Sequence, residues 1–137
     1  MTKKNSKNKK HLDIYETLYP VKLVVANEHV TLEDLKKRFM YVDDTELDED
    51  INGGFASTTR VYDKKTKGAC VLIKCNDHEA ITDKTLLTRV ISHEALHFVM
   101  DVWSYINESI NTNDLNEPIC YLIGWASENI YKTWTKK

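Results

Sequence analysis

A run of apolar residues at helical spacing between Thr82 and Ile106 constrains the fold of this chain more than any other feature. The run extends over about seven turns and predicts one long amphipathic helix that must bury a face. The chain has 137 residues, enough for one hydrophobic core and too few for two. We therefore expect the helix to form one side of a single domain made of residues 11–137.

The residues before this helix carry strand patterns. The β-branched run at 21–26 predicts a buried strand. Residues 55–62 and 68–75 predict two more strands, joined by a polar loop of hairpin length. Strands combined with helices in this order favour an α+β domain, in which helices pack on a small, mostly antiparallel sheet.

Three other segments predict helices. Residues 12–18 favour a short helix that Pro20 must end, and Thr31 favours the start of a helix over residues 32–40. After a polar break, a last helix is expected to begin near residues 114–116. Its apolar residues recur at helical spacing and predict a buried face made of Ile119, Leu122, Ile123, Ala126, Ile130 and Trp134.

Positive charge is concentrated at the start of the chain. The net charge is −2, yet the first ten residues contain no acid and five lysines, namely Lys3, Lys4, Lys7, Lys9 and Lys10. Residues 11–137 carry 14 basic and 21 acidic side chains, a net charge of −7. We expect residues 1–10 to be a disordered, lysine-rich tail. Because the body lacks a basic patch, the pattern argues against a nucleic-acid partner, with phosphate contacts by the tail as the alternative.

The apolar segments are too short to cross a membrane. The longest uninterrupted apolar run is residues 69–73, whereas a spanning helix needs about 20 residues. Asp13 interrupts the apolar stretch that a signal peptide would need. The cysteines are odd in number, and Cys70 and Cys75 would face opposite sides of one strand. Reduced thiols in a cytoplasmic protein without a membrane partner are therefore expected, and the oligomeric state stays open.

The long predicted helix contains His93-Glu94-Ala95-Leu96-His97, an HExxH motif. Residues four apart lie on one face of a helix, so both imidazoles can bind one metal ion. Glu94 then lies where it can reach a water molecule at that ion without being a ligand. The pattern favours zinc, Zn2+, as the cofactor, and the alternative is a pair of ordinary surface or half-buried histidines.

A catalytic zinc needs three protein ligands and one open position. Glu117 is the predicted third ligand, because a polar turn after the long helix brings the next helix back antiparallel, with its early residues opposite the motif. The alternative for Glu117 is an acid that caps a helix. Glu108 and Asp114, in the polar turn, are weaker substitutes.

Asp101 lies one turn beyond His97 on the same helix face. It is a candidate to accept a hydrogen bond from an imidazole that binds the metal and so to fix the tautomer of that imidazole. A solvated helix acid is an equally good interpretation.

The stretch from His93 to Asp101, followed by Asn116-Glu117, resembles the gluzincin branch of the zinc metallopeptidases. In that branch an HExxH helix, an Asp one turn later and an Asn-Glu pair near the following helix occur together. The combination is also similar to small uncharacterised proteins of phages and bacterial mobile elements. The resemblance covers roughly residues 54–134 and implies a zincin-like fold, with an HExxH active-site helix and a C-terminal ligand-bearing helix.

The resemblance implies that His93, His97 and Glu117 bind zinc and that Glu94 is the general base. Thermolysin-like members have an Asp four residues after the ligand Glu, where this chain has Tyr121. Tyr121 is a candidate catalytic residue that donates its phenol to a developing oxyanion, and a buried packing aromatic is the alternative.

These residues predict a zinc-dependent metallopeptidase. Glu94 would take a proton from the attacking water and pass it to the leaving amine. A peptide or protein substrate would bind in extended form at the edge of the hairpin that contains residues 68–75. The alternative function is a catalytically weak zincin that acts by binding a partner protein, such as a host protein.

Two other metal patterns are weaker. Residues 48–53 match the first half of an EF-hand calcium loop, but Thr59 occupies the position of the bidentate Glu, so an acidic turn is expected. Cys75 and His78 lie three apart without a second ligand pair, which argues against a structural zinc.

Overall fold

The predicted strands form one sheet, and the two long helices pack side by side on one of its faces. The computed structural model describes residues 9–77, 79–106 and 117–137. In chain order its elements are β1 (Leu12–Tyr15), β2 (Lys22–Ala26), α1 (Leu32–Lys36), β3 (Phe39–Tyr41), a 3₁₀ helix (Glu49–Asn52), β4 (Ala56–Asp63), β5 (Gly68–Cys75), α2 (Glu79–Thr82), α3 (Lys84–Tyr105) and α4 (Glu117–Thr135).

The sheet has five strands in the order β1-β2-β5-β4-β3. The β1–β2, β4–β5 and β3–β4 pairs are antiparallel, whereas β2 and β5 are parallel, so the sheet is mixed. The predicted α+β fold class is confirmed. Strand β5 lies in the interior of the sheet, which makes β4 the outer strand of the hairpin.

The structure has a hydrophobic core on each face of the sheet, and not the one core expected from the chain length. Alternate residues of β5 contribute to both, because successive side chains of a strand face opposite sides of the sheet. Val71 and Ile73 belong to the core between the sheet and helices α3 and α4. Cys70 and Leu72 belong to the core on the other face, which α1 and the 3₁₀ helix cover. The same alternation runs along β4 and determines which of its side chains reach α3.

The helix predicted over residues 12–18 is wrong, since Leu12–Tyr15 form strand β1. Leu12 and Ile14 pack on one face of the sheet, whereas Tyr15 packs on the other. Alternation between the two faces is typical of a strand, and β1 pairs with β2 in the sheet. Leu18, which the helical pattern included, is fully exposed.

The helix predicted over residues 32–40 is shorter than expected. Thr31 caps its start as predicted, in a capping box with Asp34, but the helix ends at Lys36. Phe39 is buried as the first residue of β3, where it pairs with Asp63 of β4. Phe39 continues the apolar spacing of the helix, but it is buried because it belongs to a strand of the sheet.

The two long helices are close to their predictions. The helix predicted from Thr82 begins at Lys84 and is capped by Asp83, whose carboxylate accepts from the N–H groups of Thr85 and Leu86 at 3.1 and 3.2 Å. The predicted start of α4 at 114–116 lies outside the described residues. Of its predicted buried face, Ile123 is half-buried, and the buried members are Ile119, Leu122, Ala126, Ile130 and Trp134.

Residues 1–8 of the predicted tail lie outside the described part of the chain. Lys10 is described, and its Nζ lies 2.9 Å from the Asp34 carboxylate. No helix in the described residues is long and apolar enough to span a membrane.

Candidate active site

Helix α3 carries His93 and His97 on one exposed stripe, as their spacing predicts. Their Nε2 atoms are 3.1 Å apart, and their ring centroids are 4.7 Å apart. Two imidazole nitrogens that bind one tetrahedral zinc at ~2.05 Å lie about 3.3 Å apart. The pair therefore already has the spacing of two ligands of one ion.

Glu94 is 5% exposed and is held by the sheet below the histidines. Thr58 on β4 donates its hydroxyl to Glu94 Oε1 at 2.7 Å. The other carboxylate oxygen, Oε2, lies 3.8 Å from His93 Nε2. One oxygen is thus fixed by the strand, and the other can reach a water molecule between the carboxylate and the imidazoles.

Asp101 lies one turn beyond His97 and faces β4. Its Oδ1 is 3.8 Å from Arg60 Nε, a distance too long for a hydrogen bond. Burial raises the pKa of the Asp101 carboxyl, and the charges of Arg60 and His97 offset only part of this effect. Among the described residues Asp101 forms no hydrogen bond with either imidazole, so the predicted tautomer-fixing contact is not made here.

One rim of the site is an open strand edge. Strand β3 pairs with β4 only as far as Val61, so residues 56–60 have no strand on that side within the described chain. Tyr62 pairs with Met40 of β3, and Lys64 N–H donates to Arg38 O at 2.8 Å. By the alternation of an antiparallel pair, the main-chain groups of Thr58 and Arg60 point toward the open edge.

The other rim is apolar. Leu96 and Met100 lie on the flank of α3 that is turned away from Glu94, and both are about half exposed. The histidines therefore lie on a shallow surface between a polar strand edge and an apolar helix flank.

Glu117, the predicted third ligand, is the exposed first residue of α4. Within the described residues no group of three or more His, Cys, Asp or Glu side chains is arranged to hold a metal ion. The structure therefore does not bring Glu117 to His93 and His97. The substitutes Glu108 and Asp114 lie outside the described residues.

Tyr121 lies away from the motif. It is 75% exposed, so the alternative of a buried aromatic is wrong. It lines a groove of about 580 Å³ together with residues 16–19 before β2, and no residue of α3 lines that groove. Neither geometry nor a hydrogen bond links Tyr121 to Glu94 in the described structure.

The EF-hand-like segment has a structural explanation. The Asp48 carboxylate accepts from Tyr41 Oη at 2.6 Å and from Asp50 N–H at 3.1 Å, and it caps the 3₁₀ helix. The expected acidic turn accounts for these residues. His78 lies outside the described residues, and Cys75 is buried with a free thiol.

Sequence reasoning missed Thr58 and Arg60. Both lie at even positions of β4, whose side chains face α3, whereas the neighbouring odd positions face the other core. Alternation along a strand predicts such a set, but it does not reveal which helix lies opposite.

The chain matches no protein-family model, no curated protein and no solved structure.

Proposed function

We propose that this protein is a zinc-dependent peptidase with a zincin-like fold that works in the cytoplasm. The observation that carries the proposal is the pair of imidazoles 3.1 Å apart above a buried glutamate that a strand residue orients. Histidines that only cover a surface need no such neighbour, because a buried carboxylate is costly unless a partner or a function compensates for it.

In this proposal His93 and His97 supply two zinc ligands, and no third ligand is assigned among the described residues. When bound, zinc supplies a Lewis acid that polarises the scissile carbonyl and makes the attacking water more acidic. Glu94 accepts the proton of that water through Oε2 and delivers it to the leaving amine. Thr58 keeps the carboxylate in one orientation during both transfers.

The substrate is an extended peptide that pairs with residues 56–60 of β4. The open edge offers main-chain donors and acceptors next to the histidines, and these pair with any sequence. This revises the sequence-based expectation, since β5 lies inside the sheet and the open edge belongs to β4. The half-exposed Leu96 and Met100 provide apolar contacts on the other rim.

The test is hydrolysis of a mixture of quenched fluorescent peptides by the full chain. We expect activity that a chelator abolishes and that one equivalent of zinc restores. Equal hydrolysis with and without chelator, or no hydrolysis by a zinc-loaded sample, would contradict the proposal.

A second candidate is a binding module without catalysis. It is favoured by the finding that no group of three or more His, Cys, Asp or Glu side chains in the described residues is arranged to hold a metal ion. The two candidates differ in their response to Glu94→Gln. A partner protein that binds equally well to this variant, together with a lack of hydrolysis by the wild type, would favour the binding module.

A further inference from the structure

Arg60 occupies the point where the edge of the sheet opens. It is the first residue of β4 beyond the end of β3, and its side chain faces α3. The side chain is 48% exposed. Among the described residues, its one acidic neighbour within 4 Å is Asp101, at 3.8 Å. Most of the donors of the guanidinium are therefore open to a ligand.

A peptide on the open edge would bring a side chain to this guanidinium. Residues directly opposite each other in an antiparallel pair have Cβ atoms about 5 Å apart, on the same face of the sheet. An Asp or Glu opposite Arg60 can accept two parallel N–H bonds from it. The other edge residues on this face, Ala56 and Thr58, carry no charge.

We propose that Arg60 selects an acidic side chain in the bound peptide, an inference that rests on the proposed function. Asp101 opposes this preference, because its carboxylate faces the same guanidinium from α3. The effect is that of one cross-strand charge pair, which gives Glu an advantage of about two- to fivefold over Gln in kcat/KM. The advantage applies at one position of the peptide, two residues from the position opposite Thr58.

The test uses the zinc-loaded full chain and sets of quenched fluorescent peptides. Within a set one residue is Glu, Gln or Lys, and the position of that residue moves along the peptide from one set to the next. We expect a preference for Glu at a single position. Arg60→Gln should remove it, and Arg60→Glu should replace it with a preference for Lys. Lys132→Glu is the matched control, because it makes the same charge change at an exposed position of α4 and should keep the preference for Glu.

A preference that survives Arg60→Gln but disappears in Arg89→Gln would overturn the assignment, since Arg89 is the exposed cation one turn before His93. Hydrolysis of all peptides without a preference for Glu would also overturn it and leave the proposed function intact. If no peptide is hydrolysed, the proposed function fails, and fluorescence-anisotropy binding of the same peptides decides the inference. Equal binding of the Glu and Gln peptides would then overturn it.

Discussion

Strand β4 contributes to two polar clusters, one on each face of the sheet, and the two differ in how completely their groups are bonded. Asp63, on the face toward α1, is fully buried and accepts from Arg38 Nε and Nη2 at 3.0 and 2.9 Å. It also accepts from Thr66 Oγ1 at 2.8 Å and from Lys65 N–H at 2.9 Å. Burial would raise the pKa of Asp63, but these bonds outweigh it and lower the pKa to about 2.

The cluster on the face toward α3 is incomplete. Arg60 and Asp101 are 3.8 Å apart, Glu94 has one oxygen bonded to the strand, and the imidazoles face solvent. Burial leaves the pKa of Asp101 raised. A complete network stabilises the fold, whereas an incomplete one keeps bonding capacity for a ligand. This difference supports the proposal that the site lies on the α3 face.

Removal of the proton-accepting group of Glu94 should have a larger effect than any other change, and it should affect activity without affecting stability. Glu94→Gln keeps an acceptor for Thr58 but cannot take a proton, so we expect kcat/KM to fall by about 100-fold or more. Zinc content and the free energy of unfolding should stay unchanged. Glu128→Gln, the same change at an exposed position of α4, is the control. Wild-type activity in Glu94→Gln would contradict the assignment of Glu94 as the general base.

The next prediction compares Arg38 and Arg60, one arginine from each cluster, by their contributions to the free energy of unfolding. Arg38→Ala leaves the buried Asp63 carboxylate without its main partner, so we expect the free energy of unfolding to fall by about 3 kcal/mol. Arg60→Ala should cost less than about 1 kcal/mol, because its ion pair is long and exposed. Urea unfolding followed by circular dichroism measures both. Equal losses of stability would contradict the view that the Asp63 cluster stabilises the fold more than the Arg60 cluster does.

The third effect is the dependence of stability on pH. The folded pKa of Asp63, about 2, lies below the ordinary aspartate value of 3.8, so its contribution to stability is fully present above pH ~4 and is lost as the pH falls toward 2. The stability difference between wild type and Asp63→Asn should therefore shrink by about 2 kcal/mol over this range. Other acids cancel in the difference. A difference independent of pH would contradict the assigned network.

The smallest effect concerns the orientation of Glu94. Thr58→Val removes the hydroxyl that donates to the carboxylate, and we expect kcat to fall about tenfold with little change in KM. Thr58→Ser should restore most of the activity. Thr59→Val, on the other face of β4, is the matched control. Equal losses in Thr58→Val and Thr59→Val would indicate a general effect on the strand.

Local patterns were sufficient for the hairpin, the buried strand β2 and the helix that carries the motif. They failed where the residue spacing fits both a helix and a strand and a tertiary contact decides between them. Leu12 and Tyr15 fit a helix by spacing, yet pairing with β2 makes them a strand. Phe39 likewise continues a helical face but is buried by pairing with β4.

The HExxH motif gave the histidine pair and Glu94, because all three lie on one helix whose geometry is known in advance. Thr58 and Arg60 could not be identified, since their roles depend on how the sheet lies against α3. The role of Glu117 depends on the path of the chain between two helices, which residue spacing does not determine. Contacts within one element follow from sequence, and contacts between elements do not.

We propose that the exposed imidazole pair binds zinc, and the metal content of the purified protein bears on this claim without any assay of activity. The chain is stripped with a chelator, reconstituted with zinc, desalted and analysed for metal per protein. We predict about one equivalent in the wild type and none in His93→Ala with His97→Ala. A wild type that holds no zinc, or a double variant that keeps it, would contradict the claim.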